Sequence, residues 1–289
     1  MMKRLATTLP VLLMLSSLLS ALAQDLTGDE ILARVSDRGV VSGEGSQVSR
    51  ISFDLVFSDG SNGHREFAFF GSSTAAGADK LLIYFLEPEL ECGTMFLSID
   101  PADPEADTNL WLFLSGLGRV KQLVSDADRN ASFAGSNFSN DQLGGGFDLG
   151  KDYLGTLAGE EKVEVEWLGQ SQKRSAFRVT LEQRPEADVD FPTGTVWVDR
   201  EEFTILRAEF NNSAGIIEQT ITPNDFAEFD GDLVANRIEV ANVLDGSSTT
   251  VTTLERNKVA EGIPDEVFDA ANLASFDPGV YGIASACAP

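Results

Sequence analysis

Between residues 50 and 255 the chain repeats one pattern. Short apolar runs, alternating or continuous, are punctuated by turn chemistry, with no long helical period between them. That pattern restricts the fold to antiparallel β, because parallel neighbours need crossover connections of a dozen residues or more. Residues 50–58 set Ile51, Phe53, Leu55 and Phe57 against Ser52, Asp54, Val56 and Ser58, so a period of two puts the apolar set on one face. Asp59 to Gly63 is hairpin chemistry, and residues 66–70 form the return strand. Residues 80–86 and 94–99 are apolar on both faces, which predicts central strands covered from two sides. Residues 110–114 are apolar throughout.

Further strands are predicted at 162–168, 175–182, 194–198, 204–211, 216–221, 233–243 and 249–255. Thr27 and Glu30 have the spacing of a capping box and open a short helix whose stripe is Ile31, Leu32 and Val35. Pro264, Asp265 and Glu266 start a last short helix, with Val267 and Phe268 inward. The fold class expected is mainly β: one large antiparallel sheet with short helices. A sheet of roughly a dozen strands curls.

The first 23 residues predict the address. Lys3 and Arg4 precede a mostly apolar run, and Ala21-Leu22-Ala23 is a small-residue cleavage site before Gln24. A cleaved signal peptide over 1–23 leaves one domain over 24–289. No later segment is apolar enough to span a bilayer. Net charge is −25, which repels nucleic acid and anionic lipid surfaces. An even count of two cysteines in an oxidising compartment favours a Cys92–Cys287 disulfide over two unpaired thiols.

Catalytic and metal chemistry find little support. The sole histidine, His64, reads as a surface turn residue without zinc spacing. Asp126 to Asn130 begins like a calcium loop but lacks its later Gly and Glu. The glycines near 144–150 do not make a phosphate loop, and no G-x-S-x-G elbow occurs. The expectation is a non-enzymatic protein with no cofactor and no metal. What remains is aromatic surface: 19 Phe against 3 Tyr and 3 Trp. Such a composition suits acyl chains, but taken alone it favours an ordinary filled core.

Residues 110–143 carry the most information. An apolar strand turns through Gly116 and Gly118, places Arg119 and Lys121, then runs into Ser132-Phe-Ala-Gly-Ser-Asn-Phe-Ser139, a loop with Phe133 and Phe138 in it. Apolar side chains on a loop plug or cover a cavity. The run Leu110-Trp-Leu-Phe-Leu114, then Gly118-Arg119-Val120, then Ser132-Phe133, Gly135-Ser136 and Phe138-Ser139 resembles the outer-membrane lipoprotein-sorting (LolA-like) proteins. The upstream Gly93-Thr-Met-Phe-Leu97 resembles that family's G-T-x-F-L strand. Detailed resemblance covers residues 81–143. Asn137 stands where an acid is common, Ala134 where Met is common, and Cys92 where a basic residue is common.

The resemblance implies an open half-barrel of the LolA/LolB kind, closed by a loop or helix lid over an apolar cavity. It implies a periplasmic, monomeric carrier that binds lipoprotein acyl chains or free lipid. Such a carrier would serve an inner-membrane lipid or lipoprotein transporter and an outer-membrane acceptor. The expected lining is Phe53, Phe67, Phe69, Tyr84, Phe96, Trp111 and Phe113, with Phe133 and Phe138 on the lid. Arg119 and Lys121 are expected to meet a head group or a partner. The alternative is an envelope-stress sensor that binds a membrane partner through the same fold. A third reading is an acidic envelope protein with an ordinary filled core.

Overall fold

A computed structural model describes residues 26–37, 45–73, 79–103, 106–145, 148–284 and 287. The signal-peptide expectation for 1–23 lies outside them. The chain runs α1 (Gly28–Ser36), β1 (Gly45–Val56), β2 (Asn62–Ser73), β3 (Asp79–Glu87), β4 (Met95–Asp100), β5 (Asn109–Leu114) and β6 (Arg119–Gln122). The helical turns α2 (Asp126–Arg129), α3 (Asn140–Leu143) and α4 (Leu149–Asp152) follow. Then come β7 (Tyr153–Trp167), β8 (Gln170–Gln183), β9 (Thr193–Asp199), β10 (Ile205–Asn211), β11 (Ile217–Phe229), β12 (Asp232–Asn242) and β13 (Ser248–Lys258). Three 3-10 turns, Asp265–Phe268, Ala270–Ser275 and Pro278–Tyr281, end the described chain.

All 13 strands form one sheet in the order β10-β9-β8-β7-β11-β12-β13-β1-β2-β3-β4-β5-β6. Neighbours are antiparallel except for a single parallel contact of β11 with β7 at Phe226 and Trp167. β10 also pairs with β11, so β7 to β11 curl round on themselves. The remaining strands extend as an open wing ending at β6. The mainly β, curled-sheet expectation is met. The differences are local: β7 and β8 start earlier than the apolar pattern predicts. Their exposed residues (Glu160 to Lys162, Gln170 and Ser171) carry no period, and the pairing between the two strands supplies the order instead. β6 is exposed along its whole length and leaves no apolar signal to read.

In the open wing each face has its own cover. Directly opposed residues share a face, and the register yields two sets. One row is Phe70, Leu82, Leu97 and Trp111, beside Ala68, Tyr84, Met95 and Phe113. This face packs against Ile263, Phe268, Leu273 and Ile283 of the C-terminal segment. The other face carries Phe69, Ile83, Phe96 and Leu112 beside Ile51, Phe67 and Phe85. It packs against Phe133. In the curled half, α1 inserts Ile31 and Leu32 between Tyr153, Phe177 and Phe210. That docking needs a backbone approach which only glycine allows, since a Cβ at Gly28 would lie 2.3 Å from the Gly155 backbone.

The C-terminal cover is fastened covalently. Cys92, just before β4, is joined to Cys287 across a sequence separation of 195 residues. A link closing so long a loop removes up to about 5 kcal/mol of unfolded-state entropy in the chain-entropy account.

Candidate functional site

The second face is covered by a loop that folds largely on itself. Phe133 N–H donates to Phe138 O at 2.8 Å, and Ser136 N–H to Phe133 O at 2.8 Å. Ser132 Oγ donates to Ser136 O at 2.7 Å, and Phe138 N–H to Ser136 Oγ at 3.2 Å. Ala134 and Gly135 are both left-handed, with φ of 50° and 79°. Gly135 takes that conformation without strain, whereas Ala134 takes it at a cost. This reversal turns Phe133 and Phe138 toward the sheet.

Phe133 is 1% exposed. Its ring lies 5.4 Å from Phe96, 5.5 Å from Phe67 and Phe85, and 6.2 Å from Phe53, centroid to centroid. Phe138 lies beside it, 6.0 Å from Phe53. In this closed arrangement the lid's own Phe133 fills the apolar face. Burying a Phe of this kind is worth roughly 1.5–3 kcal/mol.

Two stems carry the loop. Ser125 caps α2 by accepting from Asp128 N–H at 3.2 Å, and Ser139 with Gln142 makes a capping box on α3. Arg129 joins the stems, donating to Thr108 O at 2.9 Å and pairing with Asp141. Asn140 Nδ2 donates to Asp128 O at 2.8 Å.

A polar latch holds the tip to the sheet. Asn137 N–H donates to Thr249 Oγ1 at 2.9 Å, and Asn137 Nδ2 to Ser247 Oγ at 2.8 Å. Thr249 Oγ1 donates to Asn137 Oδ1 at 2.9 Å, and Gln219 Nε2 to Asn137 O at 3.1 Å. Neutral bonds of this kind are worth about 0.5–1.5 kcal/mol each. Thr249 is fully buried, so its hydroxyl needs this partner.

Carboxylates ring the α3 to α4 stem. Burial pushes Asp100, Asp152 and Asp190 above the ordinary carboxylate range. Nearby acids push the same way: Asp148 and Asp141 for Asp100 and Asp152, and Asp141, Asp188 and Glu218 for Asp190. Thr108 moderates Asp100 by donating to it at 2.8 Å, and Lys151 draws both Asp100 and Asp152 back down.

The expected lining is therefore split. Phe53, Phe67, Phe69, Phe96, Phe133 and Phe138 meet under the lid. Tyr84, Trp111 and Phe113 do not join them. They face the C-terminal segment, because strand alternation sets Trp111 and Phe113 opposite Leu97 and Met95 rather than beside Phe96. Ile83, Phe85 and Leu110 join this cluster too, and strands apolar on both faces give no parity signal that would mark them. Arg119 and Lys121 sit on exposed β6, where charge protects a sheet edge. Lys121 pairs with Asp128 at 2.6 Å, which ties β6 to the lid stem. His64 is less isolated than its turn suggests: its ligand nitrogen, Glu66 and Glu87 approach within 4.8 Å of one another. Asp54 at 2.7 Å already engages its Nδ1, and Arg50 engages Glu66.

Residues 77–275 match the model of a protein family described as an uncharacterized protein. The chain belongs to that family. No curated protein matches it in sequence. Its fold is LolA-like. A DUF1329 family protein from Desulfovibrio piger superposes with a TM-score of 0.73 at 19% identity, covering 85% of this chain and 97% of that one. An outer membrane lipoprotein-sorting protein domain from Vibrio parahaemolyticus gives 0.69 at 22% identity, covering 86% and 98%. A LolA superfamily protein from Nitrosomonas europaea gives 0.60 at 17% identity, covering 84% and 98%. At these identities the likeness is one of fold. No helix among the described residues is long and apolar enough to cross a membrane.

Proposed function

We propose that residues 24–289 form a periplasmic carrier for acyl chains, of lipoproteins or of free lipid. The chains lie on the sheet face beneath Phe133 and Phe138. The carrier takes cargo from an inner-membrane transporter and passes it toward the outer membrane, with no covalent step. The observation that carries this reading is the asymmetry of the two covers. One face of the open wing is closed by a disulfide-tethered segment. The other is closed by a self-contained loop whose tip rests on a few neutral hydrogen bonds and two aromatic rings. A cover of that strength can lift.

Energetics favour exchange of Phe133 for cargo. Each methylene moved from water to an apolar lining contributes ~0.8 kcal/mol, so a chain of about a dozen methylenes offers several times what Phe133 gives up. The lining left behind is Phe53, Phe67, Phe85 and Phe96, with Leu55 and Ile83 between them. These groups hold an alkyl chain without asking it for hydrogen bonds.

The test is a triacylated lipopeptide carrying a photoreactive diazirine in one acyl chain. Crosslinks are expected in peptides containing Phe67, Phe85 and Phe96. Crosslinks concentrated at residues 263–283, or none above a soluble-diazirine control, would reject the site. A stable complex with the periplasmic segment of a membrane protein, indifferent to lipid, would support the sensor reading in its place.

A further inference from the structure

Among the described residues, one cation on the lid-covered face has no counterion. Arg256 on β13 stands opposite Ser49, Ser49 opposite Phe69, Phe69 opposite Ile83, and Ile83 opposite Phe96. Opposed residues share a face, so the guanidinium heads the apolar row that runs beneath the lid. Its Nε and Nη1 are buried and have no hydrogen-bond acceptor among the described residues. Nη2 reaches only Thr253 Oγ1, at 3.4 Å, and the Phe229 ring lies 5.4 Å from Cζ. Gln47, two residues before Ser49 and so on the same face, has a buried Oε1 with no donor among the described residues. Burial alone acts on the guanidinium, pushing it below its usual range, and no carboxylate offsets that.

The other described arginines without a carboxylate partner, Arg34, Arg119, Arg178 and Arg237, are exposed, whereas Arg256 is partly buried in a chain with 46 acidic residues. Arg50, Arg65, Arg129, Arg174, Arg184 and Arg200 each pair with a carboxylate. An arginine stays charged even when buried, and a buried charge without a partner is costly. Donors left over in this way suit an oxyanion, because a guanidinium matches phosphate in geometry and charge. The acidic surface repels anions, so a phosphate is held only where a local cation acts in a low dielectric.

We propose that Arg256 receives the phosphate oxyanion of a lipid head group, with Gln47 Oε1 accepting from a head-group hydroxyl. The acyl chain then extends along Phe69, Ile83 and Phe96. Five strand spacings separate β13 from β5, roughly 24 Å, which accommodates an extended acyl chain. This inference rests on the carrier reading above and adds the class of cargo.

The experiment titrates the mature protein with dioleoyl phosphatidic acid and, separately, with dioleoylglycerol, which has the same chains and no phosphate. Native mass spectrometry reads bound lipid. The wild type is expected to prefer phosphatidic acid at least tenfold, and Arg256→Met to reduce that ratio about tenfold. Arg256→Gln, which keeps a donor for Thr253, is the second variant and is expected to behave as Arg256→Met does. The unfolding midpoint of either variant is expected to equal or exceed that of the wild type, because an unpaired charge has been removed.

Equal binding of both lipids by the wild type, or an unchanged preference in both variants, overturns the head-group site and leaves the carrier reading standing. No uptake of either lipid overturns the head-group site, and overturns the carrier reading as well only if triacylated lipopeptide is not taken up either. Inorganic phosphate alone is expected to bind at least 100-fold more weakly than phosphatidic acid. Comparable affinity would make this a free-phosphate site and overturn the head-group assignment.

Discussion

Asn137 is the residue on which the lid turns. Its side chain exchanges hydrogen bonds with Thr249 and Ser247, and its backbone adds two more. Asn137→Ala keeps the backbone bonds, removes both side-chain bonds and leaves the buried Thr249 hydroxyl short of an acceptor. The closed lid should lose about 1–3 kcal/mol, while the sheet keeps its packing. Hydrogen exchange at the amides of Phe133 and Phe138 should then rise at least tenfold, with strands β2 to β4 unchanged. Exchange at wild-type rates would show that Asn137 is not the latch. The sequence singled out Asn137 as a departure from the family pattern, but it could not place Thr249 beside it, 112 residues away. Arg256 was equally hidden: a charged residue in a polar strand looks solvated until the register turns it inward.

At the scale of elements, the carboxylates beside the stem from α3 to α4 make stability depend on pH. Asp100 and Asp152 are half-buried and hold their protons to higher pH than an unfolded chain does, chiefly through burial and then through neighbouring acids. Folding therefore takes up protons near this stem. The stability these carboxylates withhold at neutral pH returns as pH falls through their raised values. Asp100→Asn with Asp152→Asn removes the penalty while keeping polar side chains of similar size. The double variant should unfold about 1–3 °C above the wild type at pH 7.5, and the gap should close as pH is lowered toward 5. A constant gap across that range would contradict the assignment. Asp199 behaves oppositely. Burial raises it, yet donation from Arg174 at 2.8 Å and from the Glu202 and Glu201 amides at 2.9 Å brings it below the ordinary range.

Elements also show where sequence reasoning reaches its limit. Period two located β1 and the turn to β2, because one face of β1 is apolar and the other is not. Residues 81–86 and 95–97 are apolar throughout. That composition announces two covered faces and withholds which residue belongs to which. Tyr84, Trp111 and Phe113 were therefore grouped with Phe96, although pairing with Met95 and Leu97 sends them to the other side. The loop phenylalanines were legible for the opposite reason: Phe133 and Phe138 among Ser, Gly and Asn have no local use and need a distant surface.

For the whole molecule, one sheet supports two unlike closures. The C-terminal segment is tied by Cys92 and Cys287 and packs a permanent core. The lid packs a second core that the lid itself completes, through Phe133. In the carrier reading proposed above, a cargo replaces that ring without unfolding the sheet, and Arg256 at the head of the same row offers a charge to its polar end. A net charge of −25 repels anionic membrane surfaces.

The most direct measurement is native mass spectrometry of the mature protein purified from its own cell envelope without added lipid. A population heavier than the apo chain by one lipid or lipoprotein mass is expected, which organic extraction removes and which Asn137→Ala loses during purification. A single apo mass, with no uptake of added triacylated lipopeptide or phospholipid, would contradict it.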